Sequence, residues 1–194
     1  MLKLAPDVVF ADIPDKYTIN SESIIKGSLL GRGAFGFVFK ATCKIKCSRS
    51  FRAVAMKMLQ PVPPGARAKE SALMAYKVAL GKWDRDPLQH ACKAYCTARQ
   101  ELAVLLTLKH PNIVPLVGIC IKPLALVLEL APMGGLDSIL RQHRRSGAHI
   151  GPHTFQILVL QAARAIEYLH RRRIIYRDLK SENVLVWEFP QPHA

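Results

Sequence analysis

The sequence predicts an α+β chain in which a small sheet-rich lobe precedes a helical part. Three observations carry this. Three β-like runs precede residue 60, and two more fall between residues 113 and 130. The segments 91–108 and 152–170 instead repeat their apolar residues every three or four positions, as amphipathic helices do. The resulting order is three strands, a helix, two strands and then helices, which is the order of an α+β chain.

Residues 1–22 read as an irregular lead-in, interrupted by Pro6, Asp7 and Asp12, and make a poor signal peptide. The runs "SIIKGSLL", "FGFVFKATC" and "FRAVAMKML" alternate β-branched or aromatic residues with polar ones and are separated by Gly or polar clusters. Residues 60–90 open on Pro-Pro-Gly as a linker and have weak helical character further on. Helix 91–108 carries Ala94, Ala98, Leu102 and Leu105 along one stripe. Ile113–Met133 is nearly apolar throughout, long enough to suggest a membrane span. Lys122-Pro123 divides it and Glu129 sits in its second half, so two buried strands, 113–121 and 125–130, explain it better. "GGLDSILRQHRR" starts a short helix after the Gly134-Gly135 break. Pro152 opens a longer one with Phe155, Val159, Ala162, Ile166 and Leu169 in step.

At 194 residues the chain can hold one core or form part of a larger domain, and a 50% hydrophobic content excludes a disordered chain. The net charge of +14 suits a polyanion partner, or is the share of one part of a larger whole. No nucleic-acid motif accompanies the charge, so no nucleic-acid partner is expected. Five cysteines (Cys43, Cys47, Cys92, Cys96 and Cys120) in apolar or helical surroundings fit a reducing compartment, and the chain reads as cytoplasmic. The Cys43/Cys47 and Cys92/Cys96 spacings are looser than a zinc finger's and are accounted for by strand and helix packing.

"LGRGAFGFVFKA" sets Gly31, Gly33 and Gly36 in G-x-G-x-x-G spacing, followed by Val38. Glycines there let the backbone approach phosphates and offer them N–H groups. The continuation is strand-like. A dinucleotide fold would turn into a helix and show an acid about twenty positions on, and a Walker loop would follow its last Gly with Lys-Ser/Thr. A β-hairpin flap over a nucleotide and an ordinary glycine-rich turn remain. Lys57 ends the apolar strand "VAMK", where a charge needs a partner. Helix 91–108 offers one acid, Glu101, which either pairs with Lys57 or solvates a helix face. In "YRDLKSEN", Asp178 and Asn183 stand in D-x-x-x-x-N spacing after the long helix. A carboxylate there can take the proton of an attacking hydroxyl, and an amide five positions on can bind a phosphate-bridging metal. Lys180 could neutralise a transferring phosphoryl group.

In order and spacing, "GRGAFGFV", "VAMK", Glu101, "HPNIV", "LVLELAPMGGL" and "YRDLKSEN" resemble the eukaryotic protein kinase domain over residues 24–187. The resemblance implies a kinase fold with a complete amino-terminal lobe, a five-stranded antiparallel sheet plus one helix, over 23–130. It also implies an insertion at 60–90 and a partial helical lobe over 131–194. ATP and Mg2+ are the implied cofactors. Leu30, Val38, Ala55 and Leu185 would enclose the adenine, Leu128 would be the gatekeeper, and Glu129 and Ala131 would supply hinge contacts. Gly31, Gly33, Gly36 and Lys57 would hold phosphates, Asn183 the metal, and Asp178, Lys180, Lys57 and Glu101 the catalytic roles. Lys180 is the serine/threonine form. Tyr176, where most members have His, and the lead-in "LAPDVVFADIPDK" are similar to the leucine-rich repeat kinases of the Roco group. Full-length members of that group carry repeats and a Ras-like GTPase domain ahead of the kinase, with Rab GTPases among their substrates.

Two departures follow. Lys57 and Glu101 lie 44 positions apart, about twice the family's usual separation, hence the insertion. No "DFG" or "DYG" occurs, nor an activation segment, so the second metal ligand is absent from these residues. The resemblance therefore implies a truncated domain inactive or nearly so in isolation, and prone to aggregate through Val159 and Ile166. The alternative is a non-catalytic fragment that binds nucleotide or a partner.

Overall fold

A computed structural model describes residues 10, 12–33, 36–44, 50–65 and 68–189. The chain divides into two compact units, one of Met1–Thr107 with Pro115–Glu129 and one of Leu108–Val114 with Leu130–Ala194.

The first unit is a five-stranded antiparallel sheet in the order β1-β2-β3-β5-β4. Its strands are β1 (Ile24–Gly33), β2 (Gly36–Lys44), β3 (Phe51–Met58), β4 (Leu116–Cys120) and β5 (Ala125–Glu129). Successive side chains in a strand point to opposite faces, and here the two faces are covered differently. Phe37, Phe39, Ala41 and Cys43 of β2 join Val54, Met56 and Met58 of β3 and Val127 of β5 in one apolar layer. That layer is covered by helix α1 (Glu70–Arg85), through buried Ala75 and partly buried Ala72 and Tyr76. Residues 60–90, read as an insertion with weak helical character in its second part, thus give one sheet face its cover. On the other face Leu126 and Ile119, with Leu124, pack against Ala94, Tyr95, Ala98 and Leu102 of helix α2 (Pro87–Thr107).

Helix α2 begins earlier than the apolar stripe indicated, at Pro87 rather than residue 91. Asp86 accepts a hydrogen bond from the Gln89 backbone N–H at 3.0 Å, and Pro87 follows it at the first helical position. Both are start signals that lie within a stretch read only as weakly helical. The lead-in is also more than a connection. Phe10 and Ile13 are buried in the α2 layer, Thr18 bridges to Ile119, and the Ile19 N–H donates to the Ile119 carbonyl at 2.9 Å. Gly118 lets this segment come close: a Cβ there would collide with the Tyr17 carbonyl oxygen and crowd Ile19. Gly118→Ala is expected to push the lead-in off β4 and cost about 1–3 kcal/mol, read as a lowered thermal midpoint.

Among the described residues no helix is long and apolar enough to cross a membrane. Ile113–Met133 folds largely as β4 and β5 joined through Lys122-Pro123. Cys43, Cys92, Cys96 and Cys120 are free thiols, and burial raises the pKa of Cys43 and Cys120. Cys47 lies outside the described residues. No group of three or more potential His, Cys, Asp or Glu metal ligands occurs among the described residues.

The second unit holds helices α3 (Leu136–Ser146) and α4 (Pro152–Arg171). Leu108–Val114 is tied to α4 by a hydrogen bond from the Lys109 N–H to the Tyr168 hydroxyl at 2.8 Å and by the His110–Tyr168 ring contact. Helix α4 leaves Phe155, Val159 and Leu160 exposed, and Ile166 is half-buried.

Candidate active site

In the first unit the glycine-rich hairpin is β1 turning into β2, with Gly33 opposite Gly36 and Gly31 opposite Val38. Its tip, Ala34 and Phe35, lies outside the described residues. The glycines differ in why they are needed. A Cβ on Gly31 would meet nothing within 4 Å, which leaves that side open to a ligand. Gly36 has φ +156°, and a Cβ there would run into the Met58 carbonyl oxygen, so packing alone requires glycine. Leu30 is exposed.

Val38 pairs with Lys57, Ala55 with Leu128 and Lys57 with Leu126. Val38, Ala55 and Lys57 are the half-buried positions in strands whose alternate residues are buried, so they share the less covered face, the one on which α2 packs. Helix α2 carries Glu101 to that face. Lys57 Nζ donates to both carboxylate oxygens, at 2.6 and 2.8 Å, and both side chains keep about a quarter of their exposure. Such partial exposure limits what the pair adds to stability. What the pair fixes is the direction of a flexible lysine, since a two-point contact restricts its rotamers. Glu129 pairs its side chain with Arg52, and its N–H donates to the Pro115 carbonyl at 3.0 Å.

In the second unit the chain leaves α4 through Arg172 and Arg173. Arg173 is in the left-handed region (φ 60°), and the Ile174 N–H returns to the Leu169 carbonyl at 2.9 Å. This turn reverses the chain into the extended loop that ends at the short 3-10 turn Ser181–Asn183. Asn183 Nδ2 clasps Asp178 at two points, the backbone carbonyl and Oδ2, both at 2.8 Å. Lys180 Nζ lies 2.9 Å from the same Oδ2. One oxygen of Asp178 is therefore engaged, and Oδ1 remains to accept a proton from an incoming hydroxyl. The Lys180 ammonium, and then Asn183, hold the Asp178 carboxyl below its ordinary range. Asp178 in turn raises Lys180. Burial pushes the Tyr176 phenol up, and the Asp178 charge adds to that. Tyr176 is therefore a neutral neighbour of Asp178.

Val184–Val186 is laid against the start of α3. The Val186 N–H donates to the Gly134 carbonyl at 2.9 Å and the Leu136 N–H to the Val184 carbonyl at 2.8 Å, with a bridge between Gly135 and Leu185. This ladder sets Leu185, exposed, beside the segment that starts at buried Ala131.

A family model described as protein tyrosine and serine/threonine kinase matches residues 66–191, which include Glu101, Asp178, Lys180 and Asn183. The chain belongs to the protein kinase family. It is 53% identical over 194 residues, its whole length, to leucine-rich repeat serine/threonine-protein kinase 1 of Caenorhabditis elegans, of which it covers 8%. To the mouse protein of the same name it is 30% identical over 193 residues, 95% of this chain and 9% of that one. Mouse mitogen-activated protein kinase kinase kinase 10 is 38% identical over 125 residues, 62% of this chain and 12% of that protein. The glycine-rich hairpin and Lys57 precede the family match but fall within the stretch shared with the worm kinase. Members of the protein kinase family use ATP with Mg2+.

The residues present suit that metal. With Asn183 Nδ2 committed to Asp178, its amide oxygen is left over, a hard donor of the kind Mg2+ takes. Bound there, the ion would neutralise charge on the phosphates. Sequence reasoning anticipated the pairing of Lys57 with Glu101 and placed Lys180 near the transferring group. It missed the direct Lys180–Asp178 contact, for which the two-residue spacing in an extended loop was the available signal.

Proposed function

We propose that the chain supplies the nucleotide-holding and proton-accepting groups of a serine/threonine kinase that transfers the γ-phosphoryl of ATP to protein hydroxyls. The observation that carries this is the Asp178 cluster: one carboxylate oxygen clasped by Asn183 and Lys180, the other open. Asp178 accepts the substrate hydroxyl's proton, and Lys180 screens charge on the group being transferred. Lys57, aimed by Glu101, holds the α- and β-phosphates. Gly31, Gly33 and Gly36 allow the backbone near them. Leu30, Val38, Ala55 and Leu185 contact the adenine, with Glu129 and Ala131 offering backbone groups, and Asn183 takes Mg2+.

By likeness to the leucine-rich repeat kinases, the protein is of the Roco group and works in the cytoplasm. Its substrates are proteins, Rab GTPases among them, and GTPase and repeat domains belong to the same polypeptide. A second reading is a nucleotide- or partner-binding element without turnover. It is favoured by the sequence, in which no DFG-type acid accompanies Asn183 as a second metal ligand.

Transfer of radiolabelled phosphate to a Rab GTPase and to a generic serine substrate, read in single turnover, separates the two. Lys57→Met is expected to lower transfer at least about a hundredfold, as loss of a preorganised cation does, and Glu101→Gln less. Nucleotide binding that depends on Lys57, with no transfer, would establish the second reading. Binding that ignores Lys57 would sink both.

A further inference from the structure

The Lys57–Glu101 pair depends on where α2 stands. A helix rises 1.5 Å and turns about 100° per residue, so a slip of one residue would carry the Glu101 carboxylate out of reach of Lys57. The face that α2 turns to the sheet is built partly from small residues, Ala94 and Ala98, with Leu102. Small side chains pack closely but interlock little with what they touch.

The lead-in supplies what that face lacks. Phe10 and Ile13 are 5% and 7% exposed and lie in one cluster with Ala94, Tyr95, Ala98 and Leu102. The Phe10 and Tyr95 rings sit 5.8 Å apart, centroid to centroid. Asp12 makes an ion pair with Arg99, two residues before Glu101 on the same helix. At its other end the segment is fixed to β4 by the Thr18–Ile119 bridge and the Ile19 N–H hydrogen bond to the Ile119 carbonyl. Ile19 itself is buried in the layer on the opposite sheet face. One short segment is therefore anchored to the sheet at one end and to the helix of Glu101 at the other.

We propose that Phe10 and residues 12–19 act as a strap that positions α2, and that Phe10, Asp12 and Arg99 are positioning residues for the Lys57–Glu101 pair. This rests on the kinase reading of that pair. The strap is built to be releasable. Tyr95 Oη and Arg99 Nη1 are buried without a hydrogen-bond partner among the described residues, and both belong to residues the strap contacts. Unmet buried polar atoms weaken a contact, so the strap opens before the apolar sheet layers do. A pull on the strap at Phe10 then acts on α2 directly, through Phe10 and Asp12.

The test uses the 194-residue chain with Asp12→Arg, Arg99→Asp, both together, and Phe10→Ala. Affinity for a fluorescent ATP analogue and hydrogen exchange of the amides from Tyr95 to Ala103 are measured for each. Each single change is expected to weaken nucleotide binding about tenfold, the scale of coupling along a mechanical link, and to speed exchange in α2. The charge-swapped double variant is expected to recover most of both. In a Glu101→Gln background the strap variants should add little, because the group they position is gone. Equal losses with and without Glu101, or unchanged α2 exchange in Asp12→Arg, would overturn the strap. If the unmodified chain shows no Lys57-dependent nucleotide binding, the kinase reading of the pair fails. The strap is then judged on exchange and its recovery in the double variant alone.

Discussion

Replacing Asp178 with Asn is expected to lower phosphoryl transfer about a hundredfold to ten-thousandfold, the usual worth of a positioned general base, while leaving nucleotide affinity nearly unchanged. The substitution keeps shape and volume but removes the acceptor. The amide also presents its NH2 to Lys180 or to Asn183 Nδ2, where donors already point. The clasp should loosen as the base is lost, and Lys180→Met should lower transfer by less than Asp178→Asn does. The dependence on pH follows from the direction of the Asp178 shift. Its carboxyl lies below the ordinary 3.8, held there first by Lys180 and then by Asn183. A depressed folded pKa means that its ionised contribution is complete above the unfolded value and is lost only as pH falls through the lower folded one. An acid limb in the rate above about pH 4 therefore belongs to another group. A base this weak does not deprotonate a hydroxyl in the ground state. It orients the hydroxyl through Oδ1 and takes the proton late, as bond formation to phosphorus acidifies it, which suits a loose phosphoryl-transfer transition state. A limb near pH 5 that vanishes in Asp178→Asn would contradict this account.

The features most legible in the sequence were those set by local spacing. The family resemblance grouped Val38, Ala55 and Lys57 about the nucleotide, and the single acid in α2 left Lys57 one partner to find. The D-x-x-x-x-N spacing singled out Asp178 and Asn183 but not the hydrogen bonds between them, which form because a 3-10 turn brings the two side chains back together. The features that depend on distant packing were not legible. Phe10 and Ile13 stand among Pro6, Asp7, Asp12 and Pro14, a composition that reads as loop. Their burial comes from Ala94 and Tyr95, more than eighty positions away. Helix α1 was hard to read for a different reason. Its Ala72, Ala75 and Tyr76 face the sheet, but Leu73, Met74 and Val78 stay exposed and blur the apolar stripe. The early start of α2 was written in Asp86-Pro87, yet "DRDPLQH" shows only weak helical character until the Gln89–Asp86 hydrogen bond shows it to be a cap.

Phe39→Ala is expected to cost about 3–5 kcal/mol, the range for emptying a fully buried aromatic site, and to lower the thermal midpoint by about 10 °C for a chain of this length. Phe39 is 0% exposed and stands where several elements meet. Its ring meets Phe37 edge-on at 6.3 Å, and Lys26 Nζ lies 4.4 Å above it. That ammonium also donates to the Pro63 carbonyl at 2.9 Å, tying β1 to the segment that leads into α1. Removing the ring deletes a core contact and the aromatic seat of Lys26 together. Burial already depresses the Lys26 pKa, so its charged form loses support it can ill replace. Phe39→Leu, which keeps most of the volume, should cost about 1 kcal/mol. Because Phe39 and α1 belong to the same layer, replacing residues 68–86 with a short Gly-Ser linker should destabilise Phe39→Ala less than it destabilises the unmodified chain. Neighbouring sites that share a cavity are not additive. Full additivity would mean that α1 does not cover Phe39's face of the sheet. The site should respond differently to the two changes, since Lys57 and Val38 face the other way. Partial loss of the α1 layer is expected to lower stability well before it weakens nucleotide binding, whereas loss of the Phe10 strap should do both together.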